Sequence, residues 1–267
     1  MKNRIDVLLV ERGYCATREK AKRIIMAGLV FVDGQRCDKA GTNVPEDAKI
    51  EVRGDDCPYV SRGGLKLAHA LERFGLDVKD MVCLDIGSST GGFTDCMLQH
   101  GAVKVYAVDS GTNQLVWKLR SDERVVCMEQ YNFRYAVPED FADRMDFACT
   151  DVSFISLKHI LGPAAALLKD GSYMVCLIKP QFEAGREQVG KNGIVRDPAV
   201  HRQVIESVLS HAAESGFSAL GLDHSPVKGT KGNIEYLVLL KKDKETHCDI
   251  SEEMIEDIVK KAHEALD

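Results

Sequence analysis

Apolar positions along the chain change their spacing near residue 53, and the change divides it into two stretches. In the first, Ile5, Leu8 and Leu9 fall on one face of a helix that Gly13 ends, and Thr17 caps a second helix over 18–27 that Gly28 stops. Leu29-Val30-Phe31-Val32 reads as a strand, Asp33-Gly34 as a two-residue hairpin turn, and Lys49-Ile50-Glu51-Val52 as the closing strand of a small sheet. Arg53-Gly54-Asp55-Asp56-Cys57-Pro58 is polar and predicts a linker. Beyond it, short apolar runs at 81–84, 103–108, 125–128, 145–149, 173–178, 218–222 and 234–240 alternate with helical patterns. One helix covers 65–74, another begins at Thr94, and a third is opened by Asp197-Pro198 and closed by Gly216. Asp249, Glu252, Glu253, Glu256 and Asp257 crowd the start of a last helix, where its dipole favours acids. Seven strands interleaved with helices predict an α/β fold, a doubly wound sheet preceded by a small α+β domain. The predicted boundaries are 1–52, 53–58 and 59–267.

Composition narrows the class. With 267 residues, 45% hydrophobic and 28% charged, the chain suits one α/β domain plus a small one. No apolar run approaches membrane-spanning length and Met1-Lys2-Asn3-Arg4-Ile5-Asp6 lacks the core of a signal peptide, so a cytoplasmic protein without membrane contact is expected. Nine cysteines without a Cys-x-x-Cys pair predict reduced thiols and no metal site. Net charge is −6, yet residues 1–40 hold nine Lys/Arg against five Asp/Glu, so the first stretch carries +4 and the other 227 residues −10. That asymmetry keeps nucleic acid in view as a partner.

The chemistry concentrates after the first apolar run of the long stretch. Asp85-Ile86-Gly87-Ser88-Ser89-Thr90-Gly91-Gly92-Phe93-Thr94 lets the backbone turn tightly beside a ligand, and Asp109 ends the next run, where a carboxylate can hold ribose hydroxyls. The spacing departs from the nicotinamide fingerprint, and no lysine follows the glycines to hold a phosphate. Asp85 would repel a pyrophosphate and welcome a cationic amino group, which favours S-adenosylmethionine. Gly87-Ser88-Ser89-Thr90-Gly91 also matches the Gly-x-Ser-x-Gly elbow of serine hydrolases. A single preceding sheet strand and no upstream oxyanion-hole loop argue against it. Polar residues at strand ends are further candidates for chemistry: Asp151, Lys179 and Glu235, with Lys66 on the helix before the first strand.

Two resemblances extend this reading. Arg4-Ile5-Asp6, Thr17-Arg18-Glu19, Gly28, Val30, Val32 and Asp33-Gly34 resemble the S4-type RNA-binding module. The resemblance implies that Arg18, Lys22 and Arg23, with Arg4 and Lys20 nearby, contact RNA phosphates. Across the rest, Ser61-Arg62-Gly63-Gly64-Leu65-Lys66-Leu67, the Asp85 to Thr94 block, Asp151-Val152-Ser153-Phe154-Ile155-Ser156, Ile178-Lys179-Pro180-Gln181-Phe182 and Gly229-Thr230-Lys231-Gly232-Asn233-Ile234-Glu235 resemble the TlyA family. Its members are named both as hemolysins and as ribosomal RNA 2′-O-methyltransferases, and its catalytic domain is FtsJ-like. The likeness implies a class I, Rossmann-like S-adenosylmethionine-dependent methyltransferase acting on a ribose of ribosomal RNA or a ribosomal subunit, with cytidine the expected nucleoside. It places a catalytic tetrad at Lys66, Asp151, Lys179 and Glu235. Cofactor contacts are then expected from Asp85, Gly87, Ser88, Ser89, Thr90, Gly91, Gly92, Phe93 and Asp109, with Glu129 near the adenine and Tyr131, Asn132 and Phe133 flanking it. Lys179 is either a general base for the ribose hydroxyl or a fixed cation beside the developing oxyanion. A membrane-active hemolysin ranks lower, since the sequence supplies no lytic segment. A non-catalytic RNA-binding protein is the third reading.

Overall fold

The computed structural model describes residues 2–26, 28–52 and 57–266. Contacts divide the chain into two compact units, Met1–Cys57 and Pro58–Asp267. Residues 53–56 of the predicted linker, and Ala27 at the end of the second predicted helix, lie outside the described residues.

In the first unit β1 (Lys2–Arg4) leads into α1 (Ile5–Glu11) and α2 (Arg18–Met26), followed by β2 (Val30–Val32), β3 (Gln35–Arg36), β4 (Asn43–Pro45) and β5 (Ile50–Val52). The apolar positions do what their spacing implies: Ile5, Leu8 and Leu9 of α1 meet Ala21, Ile24 and Ile25 of α2 and close over Val30, Val44 and Ile50. Asp33 and Gly34 both have positive φ, 49° and 80°, so the hairpin between β2 and β3 turns as predicted. The antiparallel pair of β1 with β4 is new. At three residues each, these strands are too short to show an alternation.

A single acid organises the polar side of this unit. Asp6 is fully buried and accepts from Arg4 Nε at 2.9 Å and from an Arg18 terminal nitrogen, also at 2.9 Å. Donation from Arg4 is the main reason its carboxyl lies well below the usual range, with Arg18 adding to it against the cost of burial. Both arginines remain about half exposed. They therefore hold Asp6 with one edge and present the other to solvent.

The second unit contains α3 (Gly63–Phe74), β6 (Val82–Ile86), α4 (Gly92–Gln99), β7 (Lys104–Val108), α5 (Trp117–Arg120), β8 (Val125–Met128), β9 (Met145–Thr150), α6 (Lys158–Leu167), β10 (Leu168–Ile178), α7 (Pro180–Glu183), α8 (Pro198–Glu214), β11 (Phe217–His224), β12 (Tyr236–Lys242) and α9 (Glu252–Leu266). They build a seven-stranded sheet in the order β8-β7-β6-β9-β10-β12-β11. β6 to β10 are mutually parallel, and β12 runs antiparallel between β10 and β11. Helices bury the parallel strands, which explains why these read as unbroken apolar runs: Leu84, Ile86, Val105, Ala148 and Val175 are essentially inaccessible. Cys83, Cys149 and Cys176 are packed among them, and burial pushes their thiols up, so they are core residues. Strand order reverses between β7 and β9 on either side of β6, and a crevice opens there beyond the carboxyl ends of the strands. Asp197 caps α8 by accepting from the Ala199 amide at 2.9 Å.

Two departures are local. No helix is predicted over 158–167, yet α6 forms there, with Pro163 inside it and Ile160, Leu161, Ala164 and Leu167 on the core side. The fifth sheet strand starts earlier than its apolar run, at Leu168, with its pairing to β9 interrupted between Leu168 and Tyr173.

Asp6→Asn removes the charge that holds Arg4 and Arg18. It should cost the first unit about 1.5–3 kcal/mol, the range for hydrogen bonds to a charged group. Amide hydrogen exchange restricted to residues 5–52 would measure this, and unchanged protection would show that the arginine pair contributes nothing to folding.

Candidate active site

The glycine loop is shaped by what lies against it. β6 delivers Asp85 to the edge of the sheet, and Gly87 (φ 82°) then presses on the next strand's end: a Cβ there would stand 3.0 Å from the Asp151 carbonyl oxygen and from Val152 Cγ1. Only glycine fits both the backbone and the space. Asp85 is fully buried and accepts from Thr94 Oγ1 at 2.6 Å. Burial pushes its carboxyl up to about 7, against the Thr94 hydrogen bond and with a smaller contribution from the Asp151 charge. Asp109, just past β7, accepts from the amides of Ser89 at 2.8 Å and Gly111 at 2.7 Å, so it fixes the loop from the second strand.

Four charged side chains from four elements meet beside this loop. Lys66 comes from α3, Asp151 from the end of β9, Lys179 from the end of β10 and Glu235 from the residue before β12. The register explains the last two. Ile178 pairs with Tyr236, so the residue after one and the residue before the other are neighbours across the antiparallel pair. Lys66 Nζ lies 2.5 Å from Glu235 Oε2 and 3.9 Å from Asp151 Oδ2, and Lys179 Nζ lies 2.5 Å from Asp151 Oδ1. Lys66 is 7% exposed, Lys179 8% and Glu235 1%. Alternating cations and anions let four charges share a site that would be costly for any one alone. Burial pushes the Glu235 carboxyl up, with the Lys66 charge opposing.

The space in front of these groups has two lobes. One, of about 330 Å³, is lined by Lys66, Asp151, Lys179 and Glu235 together with Asp85, Gly87, Ser88, Ser89, Thr90, Gly92 and Phe93. The other, of about 400 Å³, runs past Asp109 to Tyr131, Asn132 and Phe133 and shares Gly87, Ser89, Asp151 and Ser153 with the first. Their joint size and mixed polarity suit a nucleoside carrying an amino acid tail.

Most of the predicted cleft residues are thus brought together, and two are not. Gly91 lines neither lobe; it packs on Leu119, whose Cδ1 would lie 2.2 Å from a Cβ. Glu129, expected near the adenine, also lines neither lobe. Its carboxylate accepts from the amides of Asn113, Gln114 and Leu115 at 2.7, 2.8 and 3.0 Å and from Arg120 at 2.6 Å. The Arg120 hydrogen bond, followed by the Leu115 amide, draws it down to about 2. Glu129 braces the 113–115 loop, whose Gln114 lines the second lobe. In the first unit, Lys22 pairs with Glu19 at 2.9 Å, while Lys20 and Arg23 lie on the same helix as Arg18.

Several cleft residues had no signal of their own in the sequence. Ser153 Oγ accepts from Lys179 Nζ at 3.0 Å. Phe154, with φ 63° and 91% exposed, stands over the Phe182 ring with centroids 4.9 Å apart at the rim of the second lobe. Glu183 accepts from Ser156 Oγ at 2.7 Å and the Leu157 amide at 2.8 Å and so ties the two segments that carry Asp151 and Lys179. Ser153 and Phe154 stand in the sequence only within the Asp151–Ser156 block that carries the family resemblance. Among the described residues no group of three or more His, Cys, Asp or Glu gathers as for a metal, and no helix is long and apolar enough to cross a membrane.

Comparison with known proteins agrees with this geometry. Residues 59–242 match the model of the FtsJ-like methyltransferase family, and residues 3–50 match the S4 domain. A Bacillus subtilis protein provisionally named rRNA methyltransferase YqxC is 55% identical over 99% of this chain and 95% of its own length. The 16S/23S rRNA (cytidine-2′-O)-methyltransferase TlyA of Mycobacterium tuberculosis is 40% identical over 97% of this chain and 96% of its own. A solved structure from Streptococcus thermophilus, provisionally named a hemolysin, superposes with a TM-score of 0.80 at 54% identity, covering 99% of this chain and 96% of that one. The chain belongs to the FtsJ-like methyltransferase family, in its TlyA group, with an S4 domain preceding the catalytic one.

Proposed function

We propose that this protein transfers a methyl group from S-adenosylmethionine to a ribose 2′-hydroxyl of ribosomal RNA, with cytidine as the modified nucleoside. The observation that carries the reading is the alternating set Lys66, Asp151, Lys179 and Glu235 at the mouth of the glycine-loop cleft. The TlyA relative's name supports the acceptor. In this reading residues 1–52 are an RNA-binding module that uses Arg4, Arg18, Lys20, Lys22 and Arg23, residues 53–58 are a linker, and 59–267 form the catalytic domain. A ribosomal substrate supports a cytoplasmic site of action.

S-adenosylmethionine supplies an electrophilic methyl on a sulfonium sulfur. The residues fit it: Asp85 faces the lobe where an amino group would lie, and Asp109 faces the other lobe, where ribose hydroxyls would lie. Lys179 Nζ meets the attacking oxygen, and Asp151 and Ser153 fix that nitrogen from two sides. Lys66 neutralises Glu235, so that carboxylate does not oppose the oxygen as it loses its proton. Phe154 offers an exposed aromatic face on which a base can stack.

Lys179→Ala should keep S-adenosylmethionine binding and lower methyl transfer to ribosomal RNA by about 10²–10⁴-fold, the usual worth of a proton-transfer group. Labelled-methyl incorporation into isolated subunits and naked RNA, with mapping of the modified ribose, measures it. Lys179→Arg separates the two roles, since recovered turnover identifies a fixed cation and persistent loss a proton acceptor. Wild-type turnover in Lys179→Ala would end the assignment.

Asp85 sets the pH behaviour. Its folded-state value of about 7 lies above its unfolded one, so the ligand-free protein binds the extra proton and loses stability as pH rises through about 7. A bound ammonium reverses the preference and expels that proton. Affinity for S-adenosylmethionine should therefore rise with pH between about 5.5 and 7 and level off above. Calorimetry in buffers of different ionisation enthalpy reads the proton release, which Asp85→Asn should abolish; a flat profile in the wild type would remove Asp85 from the amino-group site.

A further inference from the structure

Beside the reaction cleft lies a smaller concavity of about 150 Å³ whose polar lining is basic: Arg196, Lys228, Lys231 and His263. No carboxylate is among the described residues that line it. The first lobe of the cleft, by contrast, contains Asp85, Asp151 and Glu235. Lys228 lines both spaces, so the basic concavity adjoins the lobe that holds the tetrad.

Two unusual turns build it. Asn192 and Gly193 have φ of 70° and 74°, and Lys231 has φ of 60°. Lysine is a poor choice for the left-handed region, where glycine or asparagine would sit at lower cost. Such an outlier persists when its surroundings over-determine it. Here the surroundings are Asn233, 2% exposed, whose Nδ2 donates to the Gly193 carbonyl at 2.9 Å and whose Oδ1 accepts from the Val195 amide at 3.2 Å. Its carbonyl also accepts from the Gly229 amide at 2.9 Å. Asn233 thus stitches the turn at 190–194 to the turn at 229–232. With the turns joined, Lys231 Nζ lies 3.9 Å from where a Cβ on Gly193 would stand, and Lys228 Cδ lies at the same distance from that position on Gly232. On the third side His263 of α9 contacts His201 at 3.3 Å, and His201 in turn bonds the Tyr236 hydroxyl at 2.7 Å. Tyr236 is the residue after Glu235. His263 is therefore linked to the strand start that carries Glu235.

The geometry points to a binding site for a backbone phosphate of the RNA strand whose ribose is methylated, formed by Arg196, Lys228, Lys231 and His263. The concavity is too small for a nucleoside and large enough for a phosphate group. Arginine and lysine around it supply donors in several directions, as phosphate oxygens require. A strand that places its 2′-hydroxyl at Lys179 carries phosphates on either side of that ribose, and the shared Lys228 marks the direction in which one of them runs. The site rests on the ribosomal RNA reading above and adds to it what sets the register of the acceptor strand.

The test is steady-state methylation of ribosomal RNA by Arg196→Ala/Lys231→Ala, both residues being exposed. Lys244→Ala serves as a charge control elsewhere on the surface. The double variant should raise KM for RNA roughly threefold or more. It should also make the dependence of log kcat/KM on log salt shallower by about 0.7–0.9, because one phosphate is no longer neutralised. Affinity for S-adenosylmethionine, read by calorimetry, should stay at the wild-type value. If the wild type methylates RNA and the double variant keeps its KM and salt slope, the phosphate site falls and the methyltransferase reading stands. An equal effect from Lys244→Ala also overturns the site, because bulk charge would account for it. If the wild type transfers no methyl to any ribosomal RNA, both fall together.

Discussion

Burying two lysines and a carboxylate beside a half-buried second one is tolerable only if each charge meets its opposite, and that constraint governs the catalytic unit. Lys66, Asp151, Lys179 and Glu235 arrive on a helix, two parallel strand ends and the start of an antiparallel strand. None of the elements can shift without leaving a buried charge unpaired, at a cost that a protein of ordinary stability cannot carry several times over. The sheet order is what makes the meeting possible. β9 and β10 end on the same edge as β6, and β12 begins there because it runs the other way.

The three aspartates along that edge are set apart by their surroundings. Asp85 has a threonine hydroxyl and full burial, Asp151 has two ammonium groups within 4 Å, and Asp109 has two backbone amides. One residue type thereby serves as a carboxyl that titrates near neutrality, as a bridge between two cations and as a brace for the loop. Environment assigns roles that side-chain identity leaves open.

Much of this was legible in the chain because the physics acted locally. Parallel strands buried on both faces must be apolar throughout, and Leu84, Val105 and Val175 sit in runs that say so. The positive φ of Gly87 and the Asp33-Gly34 turn follow from what those residues alone can adopt. The bracing of the 113–115 loop by Glu129 was not legible, because its partners, three backbone amides, carry no side-chain signature. Ser153 and Glu183 were missed for the same reason, since their roles exist only once β9 and β10 lie side by side. Helix α6 keeps Pro163 inside it, where tertiary packing outweighs a local breaker.

The reversal of β12 has an evolutionary consequence. The connection from His224 to Glu235 emerges and returns on the reactive edge, while both of its anchoring strands continue deep into the sheet. Val227, Lys228 and Gly229 of this connection line the reaction cleft, and Asn233 within it is buried. A substitution there acts on the acceptor side and on the catalytic charges at once, so the loop and the tetrad evolve under one constraint.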